Sequence, residues 1–147
     1  MATIIERARH GDLDEISGLL VTSNLPLDGL RDHLETTLVA RDGGRIVGSA
    51  ALERYANGAL LRSVAVLPDC RGRHYGRDLI EAAIRLAQDC QTPAMYLLTT
   101  TAEDYFGRFG FERISRDDVP ATVHASIEFT SACPSSATVM RKWLSRG

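Results

Sequence analysis

The hydrophobic residues of this chain follow two periods, which predict helices alternating with strands. Residues 75–90 carry apolar side chains on one helical face, as in a helix packed against a sheet: Leu79, Ile80, Ala83, Ile84 and Ala87. Residues 59–66 and 94–99 are nearly continuous apolar runs, which are typical of central strands covered on both faces. A first helix is predicted to begin after Asp12, a candidate N-cap, and to end before Leu25-Pro26.

The other segments complete a single series of elements. Asp42-Gly43-Gly44 supplies the positive-φ residues of a tight hairpin turn, so residues 36–41 and 45–53 are predicted as its two strands. We also expect strands at 2–8, 111–116 and 137–144, and helices at 27–35, 102–109 and 121–131. This order predicts an α/β (α+β) fold, a mixed sheet with helices on both faces. Because no linker or repeat interrupts the series, residues 1–147 are expected to form one domain.

Composition and charge narrow the class of protein further. The 147 residues include 17 Lys+Arg and 19 Asp+Glu, a formal net charge of -2. This balance gives no electrostatic reason to bind nucleic acid or an anionic membrane. Cys70, Cys90 and Cys133 are odd in number and widely spaced, which argues against a disulfide scaffold or a zinc site and fits a reducing cytoplasm. Without a signal-peptide core or an apolar run of about 18 residues, we expect a soluble protein that needs no metal.

Residues 66–77 carry the most informative chemistry and lie between a predicted strand and a predicted helix. Their sequence is Val-Leu-Pro-Asp-Cys-Arg-Gly-Arg-His-Tyr-Gly-Arg. A glycine-containing loop at a helix start directs backbone N–H groups and the positive end of the helix dipole toward an anion. Arg71, Arg73 and Arg77 add charge-assisted donors. The segment therefore predicts a phosphate or pyrophosphate cradle. The alternative is a glycine-rich turn with solvated Arg side chains.

This segment resembles motif A of the GNAT superfamily of N-acetyltransferases, V-x-P-x-x-(R/Q)-x-x-G-x-(G/A), and residues 105–111 resemble its motif B. The resemblance extends over the whole length and implies a GNAT fold, with a mostly antiparallel sheet of about seven strands. It also implies acetyl-CoA as cosubstrate. The pantetheine arm would enter between two splayed strands and pair with Val64, Ala65 and Val66. The pyrophosphate would lie on the loop, contacting Arg71, Gly72, Arg73, His74, Tyr75, Gly76 and Arg77.

The chain departs from the family pattern at two positions. His74 stands where the middle Gly of motif A is expected, and because His has a Cβ we expect the backbone there to avoid positive φ. Looser acetyl-CoA binding is the alternative. Phe106 occupies the position of the Tyr that protonates the thiolate in many members, and we expect it to pack beside pantetheine. Tyr105 is one residue off, so it is a candidate acid only if an irregular turn re-aims it. Otherwise solvent or the amine supplies the proton.

A narrower resemblance connects the chain to two groups within the superfamily. Leu98-Thr99-Thr100, followed by Phe106 and Gly110-Phe111, is similar to the pattern of N-acetylglutamate synthase domains and of short N-acetyltransferases associated with arsenic resistance. Thr99 on the substrate side and Thr100 on the cofactor side could offer hydroxyls and amides to the acetyl carbonyl. The glutamate-using pattern carries an Arg where this chain has Thr101. The resemblance therefore does not extend to glutamate as acceptor.

Acetyl transfer to an amine requires a group that accepts a proton, because an ammonium cannot attack the thioester. Glu53 is the first candidate base, with a solvated strand-end carboxylate as the alternative, and His124 and Glu128 are second candidates. Arg62 lies inside an otherwise apolar strand, so its charge must be paired. Either it binds a substrate carboxylate or it pairs internally with Glu53 or Glu128. Glu128 is also a candidate substrate ligand.

Together these features predict a cytoplasmic, acetyl-CoA-dependent N-acetyltransferase in which a small amino-acid-like amine attacks the thioester directly in a ternary complex. Two alternatives stay open. A catalytically weak acyl-CoA-binding sensor is one alternative. It is favoured by His74 in place of the family's Gly and by Phe106 in place of its Tyr. A peptide or protein N-acetyltransferase would need an open groove, whereas small substrates are favoured if residues 121–134 cover the acceptor side. Homodimers are common in the resembled family, so a homodimer is a further option.

Overall fold

The computed structural model describes residues 4–124, 126 and 136–144. Seven strands form one sheet in this part of the chain: β1 (Ile4–Arg7), β2 (Thr37–Asp42), β3 (Arg45–Tyr55), β4 (Gly58–Val66), β5 (Ala94–Thr99), β6 (Glu112–Ile114) and β7 (Thr138–Trp143). The helices are α1 (Leu13–Thr22), α2 (Tyr75–Asp89), α3 (Glu103–Gly107) and α4 (Ala121–His124). None of the helices described is long and apolar enough to cross a membrane.

The strands are arranged in the order β1-β2-β3-β4-β5-β7-β6. Every neighbouring pair is antiparallel except β4 and β5, which run parallel. A parallel pair needs a crossover connection, and α2 supplies it. The predicted mixed, mostly antiparallel sheet with flanking helices is confirmed, and its single parallel junction lies in the middle of the sheet.

The two long helices cover opposite faces of the sheet, because each has one apolar side. The apolar side of α2 packs into one core cluster, to which the helix contributes Tyr75, Leu79, Ile80, Ala83 and Ala87. The other face is covered by α1 through Ile16, Leu19 and Leu20. A smaller cluster lies beneath α4, where Val123 packs with Leu60 and Tyr96. Strand β4 contributes buried side chains to both larger cores, Leu61 to one and Ala65 to the other.

Several predicted elements differ from those observed. Residues 27–35 are not an α-helix: a turn leads into a 3-10 segment, Arg31–Thr36, interrupted at His33. Asp12 does not cap α1, because its carboxylate accepts the Arg9 N–H (2.8 Å) and pairs with Arg41. The predicted helix at 121–131 is described as helix only over α4, and the rest of it, Ser126 apart, lies outside the described residues.

Candidate active site

The parallel strands β4 and β5 pair only near their beginnings. Ala59 pairs with Met95 and Leu60 with Tyr96, and no further pair joins these two strands among the described residues. Beyond this point the strands separate, and the backbone edges that face each other lack strand partners. An edge of this kind can accept an extended ligand as a pseudo-strand.

A β-bulge at Ser63 moves β4 away from its regular path at this point. On β3, Ser49 and Ala51 pair with Ala65 and Arg62, so β4 carries one extra residue between the two pairs. Ser63 has a φ of 58°, which is uncommon for a non-glycine residue inside a strand. Its carbonyl accepts a hydrogen bond from Ser49 Oγ (2.7 Å), which holds the bulge in place. The sequence contains no signal for this bulge, because Ser is ordinary in a strand.

The loop after β4 forms a concave turn, here called the cradle (residues 71–77). A 3-10 turn, Pro68–Cys70, ends the strand, and Gly72 adopts a φ of 86°. The first N–H of α2 to donate within the helix is that of Asp78, to the carbonyl of His74 (3.0 Å). The N–H groups of residues 75–77 precede it and have no intrahelical acceptor. With the positive end of the helix dipole, they form a site suited to a phosphate.

His74 adopts the left-handed conformation, with φ 67° and ψ 16°. The prediction that its backbone avoids positive φ is therefore wrong. The path from the cradle into α2 requires a left-handed residue directly before the helix, a position at which Gly carries no steric penalty. A non-glycine residue in this conformation costs roughly 1–2 kcal/mol, so the fold tolerates a local strain here.

We predict that His74→Gly raises the free energy of unfolding by about 0.5–1 kcal/mol, because relief of the left-handed strain exceeds the entropy that Gly adds to the unfolded chain. Urea denaturation measures the change. Gln91→Gly is a parallel test of the same effect, since Gln91 also has a positive φ (59°) and lies just beyond the other end of α2. Both variants should gain stability, and a loss in both would contradict the assigned backbone strain.

A single cavity of about 1200 Å³ connects the cradle, the opening between β4 and β5, and the loop of residues 23–28. The predicted cofactor and substrate residues that line it are Arg62, Val64, Ala65, Val66, Arg71, Gly72, His74, Tyr75, Gly76, Arg77, Thr99, Thr100, Tyr105 and Phe106. Arg73 is exposed and is not among the residues that line the cavity. A contact between Arg73 and the cofactor stays a prediction.

Tyr105 and Phe106 form an aromatic wall of the cavity on α3. Phe106 is buried and packs edge-on against Phe111, with ring centroids 6.1 Å apart. The Tyr105 hydroxyl lies 2.8 Å from the position that a Cβ on Gly76 would occupy, so the phenol faces the first turn of α2. Burial raises the pKa of Tyr105, which keeps the hydroxyl protonated. Tyr105 therefore lies beside the cradle, and its role as an acid toward the thiolate stays a prediction.

Glu53 and Arg62 form an ion pair whose side chains have no exposed surface. Arg62 Nη1 donates to Glu53 Oε2 (2.8 Å), while Tyr55 Oη and Ser126 Oγ both donate to Oε1. Burial alone would raise the pKa of Glu53, but the hydrogen bonds from Arg62, Ser126 and Tyr55 outweigh it and hold this pKa below its usual value. Burial and the bond to Glu53 raise the pKa of Tyr55 to about 12.

This ion pair argues against two predicted roles. Glu53 does not line the cavity, both of its oxygens are engaged, and its lowered pKa weakens it as a base, so it is not suited to be the general base. The Arg62 guanidinium is engaged by acceptors of the protein itself, which argues against a role as ligand of a substrate carboxylate. It donates to Glu53, to Ser63 Oγ (3.1 Å), and to the carbonyls of Pro26 and Asp28. The structure shows the predicted alternative, internal pairing of Arg62 with Glu53.

We predict that the contribution of Glu53 to the free energy of unfolding is lost in acid. Because its folded pKa lies below the unfolded value of about 4.5, its contribution is fully present above that pH and is lost as the pH falls through the folded pKa. The gap in free energy of unfolding between the wild type and Glu53→Gln should therefore narrow on acidification below pH 4.5. Urea titrations across this range test it, with the exposed Glu112→Gln as surface control. A gap that widens in acid would contradict the assignment.

The remaining predicted site residues take other positions. Thr99 Oγ1 accepts the N–H of Ala102 (3.0 Å), which orders the turn before α3. His124 does not line the cavity. Glu128, proposed as second base and substrate ligand, lies outside the described residues. Within the described ranges, no group of three or more His, Cys, Asp and Glu side chains is arranged to hold a metal ion.

Sequence reasoning missed the loop of residues 23–28 as part of the cavity wall. This loop lies between α1 and the 3-10 segment and contributes Asn24, with a φ of 58°, and Pro26 and Asp28. Asn before a Pro-containing turn signals a loop. Its contact with β4 cannot be read from sequence, because it depends on a hydrogen bond across 34 residues from Arg62.

Comparisons with known proteins agree with this geometry. A profile described as an acetyltransferase (GNAT) domain matches residues 33–113. An amino-acid acetyltransferase of Neisseria meningitidis serogroup B is 24% identical over 127 residues, covering 80% of this chain and 29% of that protein. One of Actinobacillus pleuropneumoniae serotype 3 is 35% identical over 86 residues, covering 57% of this chain and 20% of that protein. The chain spans less than a third of the length of these relatives.

Two crystal structures share the fold. N-acetylglutamate synthase from Neisseria gonorrhoeae, complexed with coenzyme A and N-acetyl-glutamate, superposes with a TM-score of 0.85 at 22% identity, over 99% of this chain and 36% of that chain. Rv2747 from Mycobacterium tuberculosis, in complex with CoA and NLQ, gives a TM-score of 0.81 at 23% identity, over 97% of this chain and 99% of that chain. Since the family profile covers more than half of the sequence and the sheet, bulge and cradle are all present, the chain belongs to the GNAT acetyltransferase family.

Proposed function

We propose that this chain transfers the acetyl group of acetyl-CoA to the amino group of a small, amino-acid-like molecule. The amine attacks the thioester directly in a ternary complex. One observation carries the proposal: the opening between β4 and β5 is continuous with the cradle in a single cavity. A cofactor that has a diphosphate at one end and a thioester on an extended amide arm matches this shape.

The proposed cofactor contacts follow the cavity from one end to the other. The diphosphate lies on the cradle, where Arg71, Gly72, His74, Tyr75, Gly76 and Arg77 surround it. The arm pairs with the free edge of β4 at Val64, Ala65 and Val66, and Phe106 packs beside it. Thr100 faces the acetyl end. The bound coenzyme A in both similar crystal structures supports this choice of cosubstrate.

The proton lost by the amine needs an acceptor other than Glu53. Asp28 and Glu81 are the carboxylates among the described residues that line the cavity. Asp28 belongs to the 23–28 loop, at the end away from the cradle, where the amine would enter. We propose that the proton passes to Asp28 or to cavity water, while the N–C bond forms and the C–S bond breaks to release the coenzyme A thiolate.

A thiol-release screen tests the proposal. Purified protein is mixed with acetyl-CoA and a panel of amines: α-amino acids, their phosphonic, phosphinic and arsenic-containing analogues, and short peptides. We expect free thiol and an acetylated product with at least one small amino acid or analogue. Tight acetyl-CoA binding without turnover on any amine would favour an acyl-CoA-binding sensor. Turnover of peptides alone would favour a peptide N-acetyltransferase.

Three further expectations belong to this proposal. The homodimer is tested by light scattering of the purified chain at several concentrations. The reducing compartment inferred from the cysteines is tested by fractionation of cells that express the chain. The relation to arsenic resistance is addressed by the arsenic-containing analogues in the screen.

A further inference from the structure

Arg62 makes more hydrogen bonds than charge neutralisation requires. Its guanidinium donates to Glu53 Oε2 (2.8 Å), to Ser63 Oγ (3.1 Å), and to the backbone carbonyls of Pro26 (3.1 Å) and Asp28 (2.5 Å). The last two acceptors belong to the 23–28 loop, more than 30 residues away in the sequence. One side chain therefore ties this loop to the middle of β4.

The tied loop lies at the end of the cavity opposite the cradle. β4 runs into the cradle after Val66, and Arg62 precedes Val66 by four residues, about 13 Å along a strand. Pro26 and Asp28 line the cavity together with Arg62 itself. An arm that starts at the cradle and follows β4 would present its acetyl group toward this end. The 23–28 loop thus forms a wall against which the acceptor amine must be placed.

Glu53 supplies the negative charge that allows the Arg62 guanidinium to be buried. A guanidinium without exposed surface needs a counter-charge, and Glu53, equally buried, supplies it. The remaining donors of Arg62 are then available for neutral carbonyl oxygens. Arg suits this role better than Lys, because its planar fork reaches several fixed acceptors in different directions at once.

We infer that Arg62 is a positioning residue for the acceptor: through the carbonyls of Pro26 and Asp28 it fixes the 23–28 loop at the acceptor end of the cavity. Its guanidinium donates to acceptors of the protein itself, namely Glu53, Ser63 and the two loop carbonyls. It acts through the backbone of the loop, so its effect falls on the acceptor and not on acetyl-CoA. The kinetic part of this inference rests on the proposed acetyltransferase function, whereas the structural part does not.

The test is Arg62→Lys in the full chain. Lys keeps the positive charge beside Glu53 but cannot donate to Glu53 and both loop carbonyls in the same geometry. Arg41→Lys is the matched control, because Arg41 also pairs with two carboxylates, Glu6 and Asp12, and does not line the cavity. Three readouts are compared: amide hydrogen exchange of residues 24–30, the Kd for acetyl-CoA, and steady-state kinetics with the amino acid that turns over fastest in the thiol-release screen.

We expect faster exchange of residues 24–30 in Arg62→Lys than in Arg41→Lys. The kcat/KM for the acceptor should fall about 10- to 100-fold, as for a slightly misplaced reactant, while the Kd for acetyl-CoA changes by less than about twofold. Equal exchange of this loop in both variants, or equal losses for acceptor and acetyl-CoA, would overturn the inference.

If Arg62→Lys does not fold, the neutral pair Glu53→Gln with Arg62→Met replaces it in the same comparison. If no amine is acetylated by the wild type, the proposed function fails and the exchange result alone decides on the loop.

Discussion

Replacing Glu53 with Ala is expected to lower the free energy of unfolding by about 3–5 kcal/mol, because it removes one partner of a buried ion pair and leaves Arg62 Nη1 without the carboxylate to which it donates. The pair has no exposed surface, so water cannot take over the role of the lost carboxylate. Tyr55 and Ser126 also lose the acceptor of their hydroxyl hydrogen bonds. Urea denaturation monitored by circular dichroism measures the change, with the midpoint and the slope fitted separately.

A double variant separates the charge effect from simple loss of packing. Glu53→Ala combined with Arg62→Met removes both charges and keeps most of the apolar volume, so it should be more stable than Glu53→Ala alone. Asp69→Ala is a surface comparison, because Asp69 pairs with Arg45 where both side chains are more than half exposed. It should change stability little. Equal small losses for Glu53→Ala and Asp69→Ala would show that the buried pair is not as described.

Replacing Gly76 with Leu is expected to weaken acetyl-CoA binding by about 100-fold. A Cβ at this position would lie 2.8 Å from the Tyr105 hydroxyl and 3.7 Å from Val66 Cγ2, inside the cavity at the cradle. A longer side chain would fill the space in which the diphosphate meets the helix N–H groups. Loss of two charge-assisted hydrogen bonds is sufficient for an effect of this size. Calorimetric titration with acetyl-CoA measures the Kd.

The control for this substitution is Gly18→Leu, since Gly18 lies in α1 with open space around its Cβ position and does not line the cavity. It should leave the Kd unchanged. A finer comparison uses Gly76→Ala with and without Tyr105→Phe. The close contact involves the hydroxyl, whereas the ring carbon Cζ lies 3.9 Å away, so Tyr105→Phe should restore part of the affinity lost in Gly76→Ala. Full affinity in Gly76→Leu would exclude the cradle as the diphosphate site.

The fold could be predicted largely because its signals are local. The apolar face of α2, the Asp42-Gly43-Gly44 turn and the continuous apolar runs of β4 and β5 each identify one element from neighbouring residues. The errors arose where tertiary contacts override local preference. Asp is a residue type that favours the N-cap position, but the carboxylate of Asp12 forms a long-range ion pair with Arg41 instead.

The same distinction between local signals and tertiary contacts holds for the residues of the site. The cradle could be predicted because Arg71, Gly72 and Gly76 lie close together in the sequence, at the start of a predicted helix. The left-handed conformation of His74 was not foreseen, since the chain path into α2 imposes it in spite of the Cβ. In the sequence, Arg62 stands out as a charge inside an apolar strand and Glu53 as a candidate base, but the roles of both residues depend on which neighbours surround them. Three parts of the chain that are distant in sequence meet at this pair, namely the hairpin of β3 and β4, the 23–28 loop and Ser126, and no local sequence pattern predicts that they do.

The most direct test of the central claim is a crystal structure of the chain with coenzyme A. We predict that the diphosphate lies on residues 71–77 and that the pantetheine arm hydrogen-bonds to β4 near Val64 to Val66, within the opening between β4 and β5. Coenzyme A bound at another place on the molecule, or with its arm outside this opening, would contradict the account.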